Sequence, residues 1–274
     1  MRESTRQYVM RLVRRAGLMP LAENLRGRTL ALGKGRANRR FRRAHAEVVF
    51  PPTRLMHDPY GLVDYAAYWQ SGQAAAAALA RIFAEYGGEA KGAVRILEWG
   101  CGPARILRHL PGLVPGGEFF GCDYNREAIA WCQENLPGLT FAPNDLAPPL
   151  DYPAASFDFI YCISVFTHLS EPMHEAWRAE LLRVLKPGGC LVLSLHGDSF
   201  RRKLLPDELA RFDAGALVVR EGVSEGGRMF TAFHGERFVR ERLLRSLDIL
   251  RHEPVTNPAC TPQDLWVVRK PVAP

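Results

Sequence analysis

The sequence lacks the long apolar runs of membrane-spanning segments and the paired cysteines of metal or disulfide frameworks. No window of its 274 residues approaches the ~18 consecutive apolar residues that a transmembrane helix needs. The uninterrupted apolar core of a secretory signal is also missing, because Arg11, Arg14 and Arg15 break up the N-terminus. None of the six cysteines forms a CxxC pair. Zinc sites and disulfides are therefore not predicted, and a reducing cytoplasm is the expected location.

Acidic residues are scarce at the start of the chain. The first 43 residues contain 13 lysines and arginines but 2 acids, a balance of +11, and the remaining 23 basic and 27 acidic residues leave −4. We expect a basic N-terminal extension over residues 1–43 in front of a mildly acidic body. Its apolar residues from Val9 to Leu21 permit an amphipathic helix on a membrane surface. A solvated, partly disordered extension, a transit peptide and an arm for nucleic acid or an acidic partner are the alternatives.

Residues 44–92 are predicted to form a helical lead-in or cap, with its main helix over 73–86. From residue 93 onward the pattern alternates between apolar strand-like runs and helical segments. This alternation predicts a doubly wound α/β domain over 93–274 with a mostly parallel sheet. The predicted strands are 93–97, 118–122, 139–142, 157–163, 190–195, 247–250 and 263–270; the predicted helices are 103–110, 126–135, 171–185 and 235–245, with "KPGG" at 186–189 closing the third and residues 199–234 inserted as a substrate cap.

A glycine turn follows the first predicted strand. Glu98 ends the strand, and Gly100, Cys101 and Gly102 come next in "ILEWGCGPAR". Glycine lets the backbone approach a ligand without a Cβ clash, and the N-terminus of the following helix would offer free N–H groups. Asp123 ends the next strand about 20 residues later, where a carboxylate can accept both hydroxyls of a ribose. The sequence therefore predicts a nucleotide-type site at this sheet edge.

Five motifs in order resemble those of class I S-adenosylmethionine-dependent methyltransferases. They are "ILEWGCGPAR", "GCDYN", "NDLAPPL", "FDFIYCISVFTHL" and "LLRVLKPGGCLVL", and they span roughly residues 93–195. The resemblance implies a Rossmann-like sheet of seven strands whose last strand is antiparallel. It also implies S-adenosyl-L-methionine as the cofactor. Two residues depart from the family's pattern: Trp99 is bulky for the turn, and Pro103 stands where small residues are common.

The resemblance also implies roles for individual residues. Glu98 and the Gly100–Gly102 turn, Cys101 included, would surround the methionine part of the cofactor, and Asp123 would hold the ribose beside Tyr124. In the loop after strand three, Asn144 and Asp145 would face the adenine, with Asp145 accepting from its amino group and Leu146 offering a backbone N–H. Ser164 and Val165 would lie next to the reacting methyl group.

Three histidines follow strands at the same end of the predicted sheet. An imidazole titrates near neutral pH and can serve as a general base for a hydroxyl acceptor. His168 and His196 are the predicted catalytic residues, and His234 is the predicted substrate-binding residue. His168 has the alternative role of capping the segment that enters the next helix. The histidines lack the spacing of a recognisable metal site, so no metal is predicted.

The expected reaction is methyl transfer to a hydroxyl of a small molecule, sugar or glycan. Enzymes that methylate amines of DNA bases typically carry an Asn/Asp-Pro-Pro-aromatic motif after strand four, where this chain has "SVFTHL"; no DNA partner is expected. A basic arm would suit peripheral contact with the inner membrane face. The alternatives are an RNA- or protein-modifying methyltransferase that uses the arm, and a cofactor-binding module without turnover. A nicotinamide dehydrogenase is disfavoured, because Arg105 replaces the third glycine of its fingerprint.

Overall fold

The computed structural model describes residues 19–87, 92–220, 222–254 and 263–272. Three helices come first, namely α1 (Met19–Ala44), α2 (Thr53–Tyr60) and α3 (Tyr65–Tyr86). Within the described ranges, no helix combines the length and the apolarity needed to cross a bilayer. The following elements are β1 (Arg95–Trp99), β2 (Glu118–Asp123), α4 (Arg126–Asn135), β3 (Thr140–Pro143), β4 (Phe157–Cys162), α5 (Glu171–Val184), β5 (Leu185–Leu195), α6 (Pro206–Asp213), β6 (Val218–Arg220), β7 (Thr231–Phe233), α7 (Glu236–Phe238), β8 (Asp248–Glu253) and β9 (Asp264–Arg269).

Seven strands form one sheet in the order β3-β2-β1-β4-β5-β9-β8. Strands β1 to β5 pair in parallel, and β9 lies antiparallel between β5 and β8. The strand order reverses at β1 and β4, which is the place where sheets of this kind bind ligands. The predicted doubly wound sheet with seven strands and an antiparallel last strand is confirmed.

Both faces of the sheet are buried, as the unbroken apolar strands require. On β1, Ile96 packs into the apolar cluster of one face, whereas Leu97 and Trp99 pack into that of the other. On β4, Phe159 packs into the same cluster as Ile96, and Ile160 packs into the same cluster as Leu97. The central strands are thus fixed from two sides, so their carboxyl-terminal ends are rigid supports for a site.

The predicted helix over 103–110 is wrong. Gly102 and Ala104 have φ angles of 50° and 54°, and only Leu107–His109 form a 3₁₀ turn. The carbonyl of Pro103 accepts from the hydroxyl of Tyr68 in α3, and that of Cys101 accepts from the hydroxyl of Tyr60 in α2 as well as from the N–H of Ala104 in a tight turn. The free helix N-terminus expected after the glycine turn is therefore absent from this described segment.

The helix predicted over 171–185 is observed as α5, but three other expectations about the helices differ from the structure. The "KPGG" residues 186–189 do not close a helix: they belong to β5, where they form a bulge between the Phe157–Leu185 and Phe159–Cys190 pairs. Residues 235–245 form only a short α-helical turn, α7, followed by a π-helical turn over Val239–Leu243. The helix expected over 73–86 begins earlier, at Tyr65, where the side chain of Asp64 accepts from the N–H of Ala67 and caps it.

The N-terminal helices pack against the turn that follows β1. Gly72 of α3 permits this approach, because a Cβ there would lie 2.1 Å from the carbonyl oxygen of Arg105. Helix α1 is joined to the start of α3 by Asn38, which donates to the carbonyl of Val63 and accepts from the N–H of Tyr65. The expected amphipathic segment from Val9 to Leu21 lies largely outside the described residues, but residues 19–43 of the basic extension belong to helix α1 and are not disordered.

The segment inserted after β5 carries α6 and a two-stranded hairpin of β6 and β7. Phe200, Phe212 and Phe233 are buried within it as a small cluster of its own. The carboxyl end of β7 leads to His234, whose N–H donates to the carbonyl of His196 after β5. The hairpin is thereby fixed over the carboxyl ends of the central strands.

Candidate active site

A cleft of about 1180 Å³ opens at the carboxyl ends of the parallel strands. Helices α1 and α2 form one wall, and the hairpin loop between β6 and β7 forms another. The cleft brings together eleven of the residues predicted from the sequence: Gly100, Gly102, Asp123, Tyr124, Asn144, Asp145, Leu146, Ser164, Val165, His168 and His196. Among the described residues that line it, Glu98, Cys101 and His234 do not appear.

The glycine turn is held by the neighbouring strand. The N–H groups of Gly100 and Cys101 both donate to the carbonyl of Cys122, at 2.8 and 3.0 Å. Gly100 has a φ of 79°, and a Cβ there would lie 2.3 Å from a methyl carbon of Val165. A side chain at this position is therefore excluded both by backbone strain and by lack of space.

Glu98 supports this turn from behind. Its Oε2 accepts from the N–H of Leu107 at 3.1 Å and from the hydroxyl of Tyr161 at 3.0 Å. Burial raises the pKa of Glu98 to about 8, although the Tyr161 hydrogen bond and the nearby Arg105 oppose the rise. The assignment of Glu98 to a ligand ammonium stays a prediction; in the structure its carboxyl group fixes the backbone after the glycines.

Asp123 joins the second strand tip to the turn. One carboxylate oxygen accepts from the N–H of Gly102 at 2.7 Å, and the other accepts from the N–H of Asn125 at 2.8 Å. Burial raises the pKa of Asp123, and these N–H groups oppose the rise. Tyr124, which follows, is 45% exposed at the rim. The carboxylate is thus oriented for a ligand that presents hydroxyl groups.

The loop after β3 offers a second polar group to the cleft. Asn144 is buried, and its Nδ2 donates to the carbonyl of Asp145 at 2.6 Å. Its Oδ1 is also buried and accepts no hydrogen bond from any described residue. Asp145 is largely exposed and pairs with Arg126, while the Leu146 carbonyl accepts from the Trp177 indole. A buried oxygen with no partner costs free energy unless a donor from a ligand or water meets it.

Ser164 stands beyond the end of β4 in a left-handed conformation, with a φ of 65°. Its N–H donates to the Ser194 hydroxyl, which donates to Oε1 of Gln263; Nε2 of Gln263 then donates to the Ser164 hydroxyl at 2.7 Å. Thr167 also hydrogen-bonds the Ser164 hydroxyl and carbonyl. This closed ring of hydrogen bonds holds a strained residue at the floor of the cleft, where strain is typical of functional sites.

His168 and His196 both line the cleft, and both are oriented by the inserted hairpin. Nδ1 of His168 lies 2.7 Å from the carbonyl of Phe230, and Nδ1 of His196 lies 3.0 Å from that of Ala232. Because a carbonyl only accepts, each Nδ1 carries the proton and each Nε2 retains a lone pair. Burial lowers the pKa of both side chains, that of His196 to about 3. Both imidazoles are therefore neutral near pH 7.

His234 lies behind the cleft, against His174. Their Nε2 atoms are 2.8 Å apart, and Nδ1 of His174 donates to the carbonyl of Ser170. His234 must then donate through its Nε2, and burial lowers the pKa of both rings. We refer to His168, His174, His196 and His234 as the histidine group. In the described part of the chain, no cluster of three His, Cys, Asp or Glu side chains has the arrangement of a metal site.

The histidine group predicts a fall in stability on acidification. The pKa values of its members are lowered in the folded state, that of His174 to about 4, so the unfolded chain binds more protons below pH 6.5. The raised pKa values of Glu98 and Asp123 act in the opposite direction but are outnumbered. We expect the free energy of unfolding to be greatest above pH 6.5 and to decrease as the pH falls toward 4.

Urea unfolding at pH 7.5, 6.5, 5.5 and 4.5 measures this decrease. In the double variant H174L/H234L the pH dependence should be shallower than in the wild type, because two of the titrating groups are gone. A wild-type free energy of unfolding that stays level from pH 7.5 to 4.5 would contradict the assigned pKa directions.

Sequence reasoning did not find several residues of the cleft. Arg105 is 93% buried beneath the turn. Its guanidinium lies 4.8 Å from the ring centre of Tyr60 and donates to the hydroxyl of Ser71. Its Nε has no hydrogen-bond partner among the described residues. Gln263 could have been predicted as a residue of the cleft. Because β9 is antiparallel, its first residues lie beside the carboxyl ends of the parallel strands. No feature of the sequence indicated that the lead-in residues Tyr60 and Ser71 lie at the cleft.

A family of known proteins matches the central part of this chain. Residues 96–189, from β1 to the bulge of β5, match the family described as "Methyltransferase domain". The glycine turn, Asp123 at the tip of β2 and strands β2 to β4 lie within that match. The chain contains a class I S-adenosylmethionine-dependent methyltransferase domain. The predicted family is thereby confirmed.

Individual proteins are similar to the methyltransferase domain over limited lengths. "Phthiotriol/phenolphthiotriol dimycocerosates methyltransferase 1" of Mycobacterium ulcerans is 36% identical over 100 residues, 36% of either chain. The "Fatty-acid O-methyltransferase" of Mycolicibacterium smegmatis is 32% identical over 123 residues, 44% of this chain and 43% of that protein. The alignments thus span less than half of these relatives.

A solved structure agrees in fold over a longer stretch. The SAM-dependent methyltransferase of Methanosarcina mazei superposes with a TM-score of 0.51 at 24% identity and covers 70% of this chain and 98% of its own. This likeness concerns the fold.

The polar groups of the cleft fit the cofactor of this class. S-adenosylmethionine has a carboxylate, an amino group, two ribose hydroxyls and an adenine amino group. Two residues that line the cleft carry a buried polar atom without a partner in the described ranges, namely Nε of Arg105, a donor, and Oδ1 of Asn144, an acceptor. Asp123 supplies the carboxylate that ribose hydroxyls require. The donor and acceptor set of the cleft therefore matches that of the cofactor.

Proposed function

We propose that this chain binds S-adenosylmethionine in the cleft and methylates an oxygen of a small-molecule acceptor. The supporting observation is the placement of two neutral imidazoles, with Nε2 lone pairs, in the same cleft as the glycine turn and Asp123. The fatty-acid relative from Mycolicibacterium smegmatis is named as an O-methyltransferase, that is, as an enzyme that methylates an oxygen. Within this class, a hydroxyl of a sugar or glycan is the acceptor that the sequence favours.

The cofactor side of the cleft has separate tasks for separate residues. Arg105 would pair with the carboxylate of the cofactor, and Asp123 would accept from the ribose hydroxyls. Oδ1 of Asn144 would accept from the adenine amino group, for which Asp145 is the candidate named by the family resemblance. Tyr124 at the rim would cover the adenine. These assignments use residues that line the cleft, whose polar atoms are either without a partner in the described ranges or held by backbone N–H groups.

The acceptor side would be governed by His168 and His196. When bound, the cofactor supplies a methyl group on a sulfonium that departs as a neutral thioether. The acceptor oxygen gains the methyl group, and its proton passes to Nε2 of His168. His168 is the better base of the two, because the pKa of His196 is lowered further, to about 3, and a weaker base removes a proton less readily. His196 would accept a hydrogen bond from the acceptor and orient it.

The variant D123A tests the cofactor site. Loss of a buried, charged acceptor is expected to cost about 1–3 kcal/mol of binding free energy, or roughly a 5- to 150-fold weaker Kd for S-adenosylmethionine. Titration calorimetry measures the change. D213A is the matched control, because Asp213 at the end of α6 is an exposed carboxylate that pairs with Arg201 and does not line the cleft. An unchanged affinity in D123A would remove Asp123 from the cofactor site.

The acceptor class is tested by transfer of a labelled methyl group. The purified chain and labelled S-adenosylmethionine are added to an extract, which is then separated into small-molecule, lipid, RNA and protein fractions. Label in the small-molecule or lipid fraction supports the proposal. Label in RNA or protein would instead support a macromolecular acceptor, and tight cofactor binding without label in any fraction would contradict enzyme activity.

A further inference from the structure

Helix α1 has one face against the body and one face away from it. The inward face carries small or uncharged side chains, among them Gly27, Ala31 and Asn38. Gly27 is required there, because a Cβ would lie 2.8 Å from the imidazole of His57. The positions on the opposite side of the helix, listed in chain order, are Leu25, Thr29, Leu32, Arg36, Arg40 and Arg43, and all of them are exposed.

The outward face has two parts with different chemistry. Near its start, Leu25 and Leu32 are 65% and 84% exposed and stand two turns apart on the same side. Toward its end, Arg36, Arg40 and Arg43 follow on that side. From Leu25 to Ala44 the helix contains eight lysines and arginines and no acid. Exposed leucines beside a stretch that carries many basic residues and no acid are costly in water and are suited to an apolar layer with an anionic border.

The same helix borders the cleft. Gly27, Arg28 and Ala31 are lining residues, so the wall of the cleft and the two outward leucines belong to the same turns of one helix. His57 and Asp58 of α2 continue that wall. Any flat surface that contacts Leu25 and Leu32 therefore lies beside an edge of the cleft.

We propose that the outward face of α1 docks on an anionic lipid bilayer, with Leu25 and Leu32 in the interfacial layer and Arg36, Arg40 and Arg43 on the headgroups. A nucleic acid would satisfy the arginines but would leave the two leucines exposed, and the leucines decide between the partners. Cations near an anionic surface gain from its potential, whereas apolar side chains gain from leaving water. The docking requires neither cofactor nor methyl transfer and is independent of the proposed function.

Vesicle binding of the full chain tests this docking. The probes are vesicles of phosphatidylcholine alone and vesicles of phosphatidylcholine and phosphatidylglycerol in equal amounts, both in 0.1 M salt. We expect at least tenfold stronger binding to the anionic vesicles. The variants L25N/L32N and R36Q/R40Q/R43Q should each lose at least tenfold of that binding.

The matched control is R237Q/R240Q/R242Q, which removes the same charge from exposed arginines around α7. It should bind the anionic vesicles within about twofold of the wild type. Thermal unfolding and calorimetry with S-adenosylmethionine show whether each variant is folded and retains its cleft. Failure of the wild type to bind anionic vesicles overturns the docking. So does undiminished binding by L25N/L32N, particularly where an RNA homopolymer binds equally well, because the contact is then purely electrostatic.

Discussion

Replacing His168 by alanine is expected to lower the rate of methyl transfer roughly 10²- to 10⁴-fold, the range in which a positioned general base contributes. The affinity for S-adenosylmethionine should change little, because the imidazole faces the acceptor side of the cleft. In the wild type, burial lowers the pKa of His168 below 6.5, so the base is unprotonated at neutral pH. The rate should therefore be constant at neutral pH and fall as the pH decreases through the lowered pKa. In H168A this acidic limb should disappear.

The control for H168A is H109A. His109 is also partly buried and packs edge-on against Trp69, but it is not among the described residues that line the cleft. The same chemical change there should leave the rate and its pH profile intact, and thermal unfolding shows the cost to stability in each case. A wild-type rate in H168A would transfer the role of base to His196 or eliminate the need for one.

Replacing Gly100 by alanine is expected to lower methyl transfer about 100-fold. The new Cβ would lie 2.3 Å from a methyl carbon of Val165, so the turn or the segment after β4 must shift. A shift of about an ångström in the positioning of reacting groups costs on the order of 10² in rate. The positive φ adds backbone strain for any residue with a side chain. Steady-state rates and calorimetry with S-adenosylmethionine measure the loss.

Two variants separate the clash from the strain. Gly116 has a nearly identical φ of 76°, but a Cβ there meets nothing within 4 Å among the described atoms, so G116A should lose stability alone. In the double variant G100A/V165A the nearest methyl is gone and Val165 Cβ stands 3.5 Å from the new atom, an ordinary contact. Partial recovery of the rate relative to G100A is expected. If G100A and G116A lose the same fraction of the methyl-transfer rate, the space available for a side chain at the glycine turn is unimportant.

The sheet was predictable from sequence because its strands are buried on both faces. Continuous apolar runs such as 157–163 and 190–195 marked the strands within a few residues. Helix boundaries were less accessible where tertiary contacts replace helical hydrogen bonds. At 103–110 the carbonyls of Cys101 and Pro103 accept from tyrosine hydroxyls that lie some 35 to 41 residues earlier. Local propensity contains no information on such distant donors.

The candidate site was predictable where it depends on strand ends and unpredictable where it depends on added segments. Gly100, Asp123 and Ser164 follow strands whose order fixes their position, and all three line the cleft. Arg105 seemed only a departure from a dinucleotide fingerprint, yet its guanidinium lies buried beside Tyr60. The contribution of α1 and α2 to the cleft wall required the packing of Gly27 on His57. Sequence periodicity does not show which residue of one helix packs against which residue of another.

The carbonyls of Phe230 and Ala232 set the tautomers of both catalytic candidates, and both belong to the segment inserted after β5. An exchange of this insertion for that of another methyltransferase would thus alter proton transfer together with acceptor shape. In this architecture the shape of the acceptor site and the tautomer of the base are expected to change together, because both depend on the inserted segment, while the adenosine half stays constant.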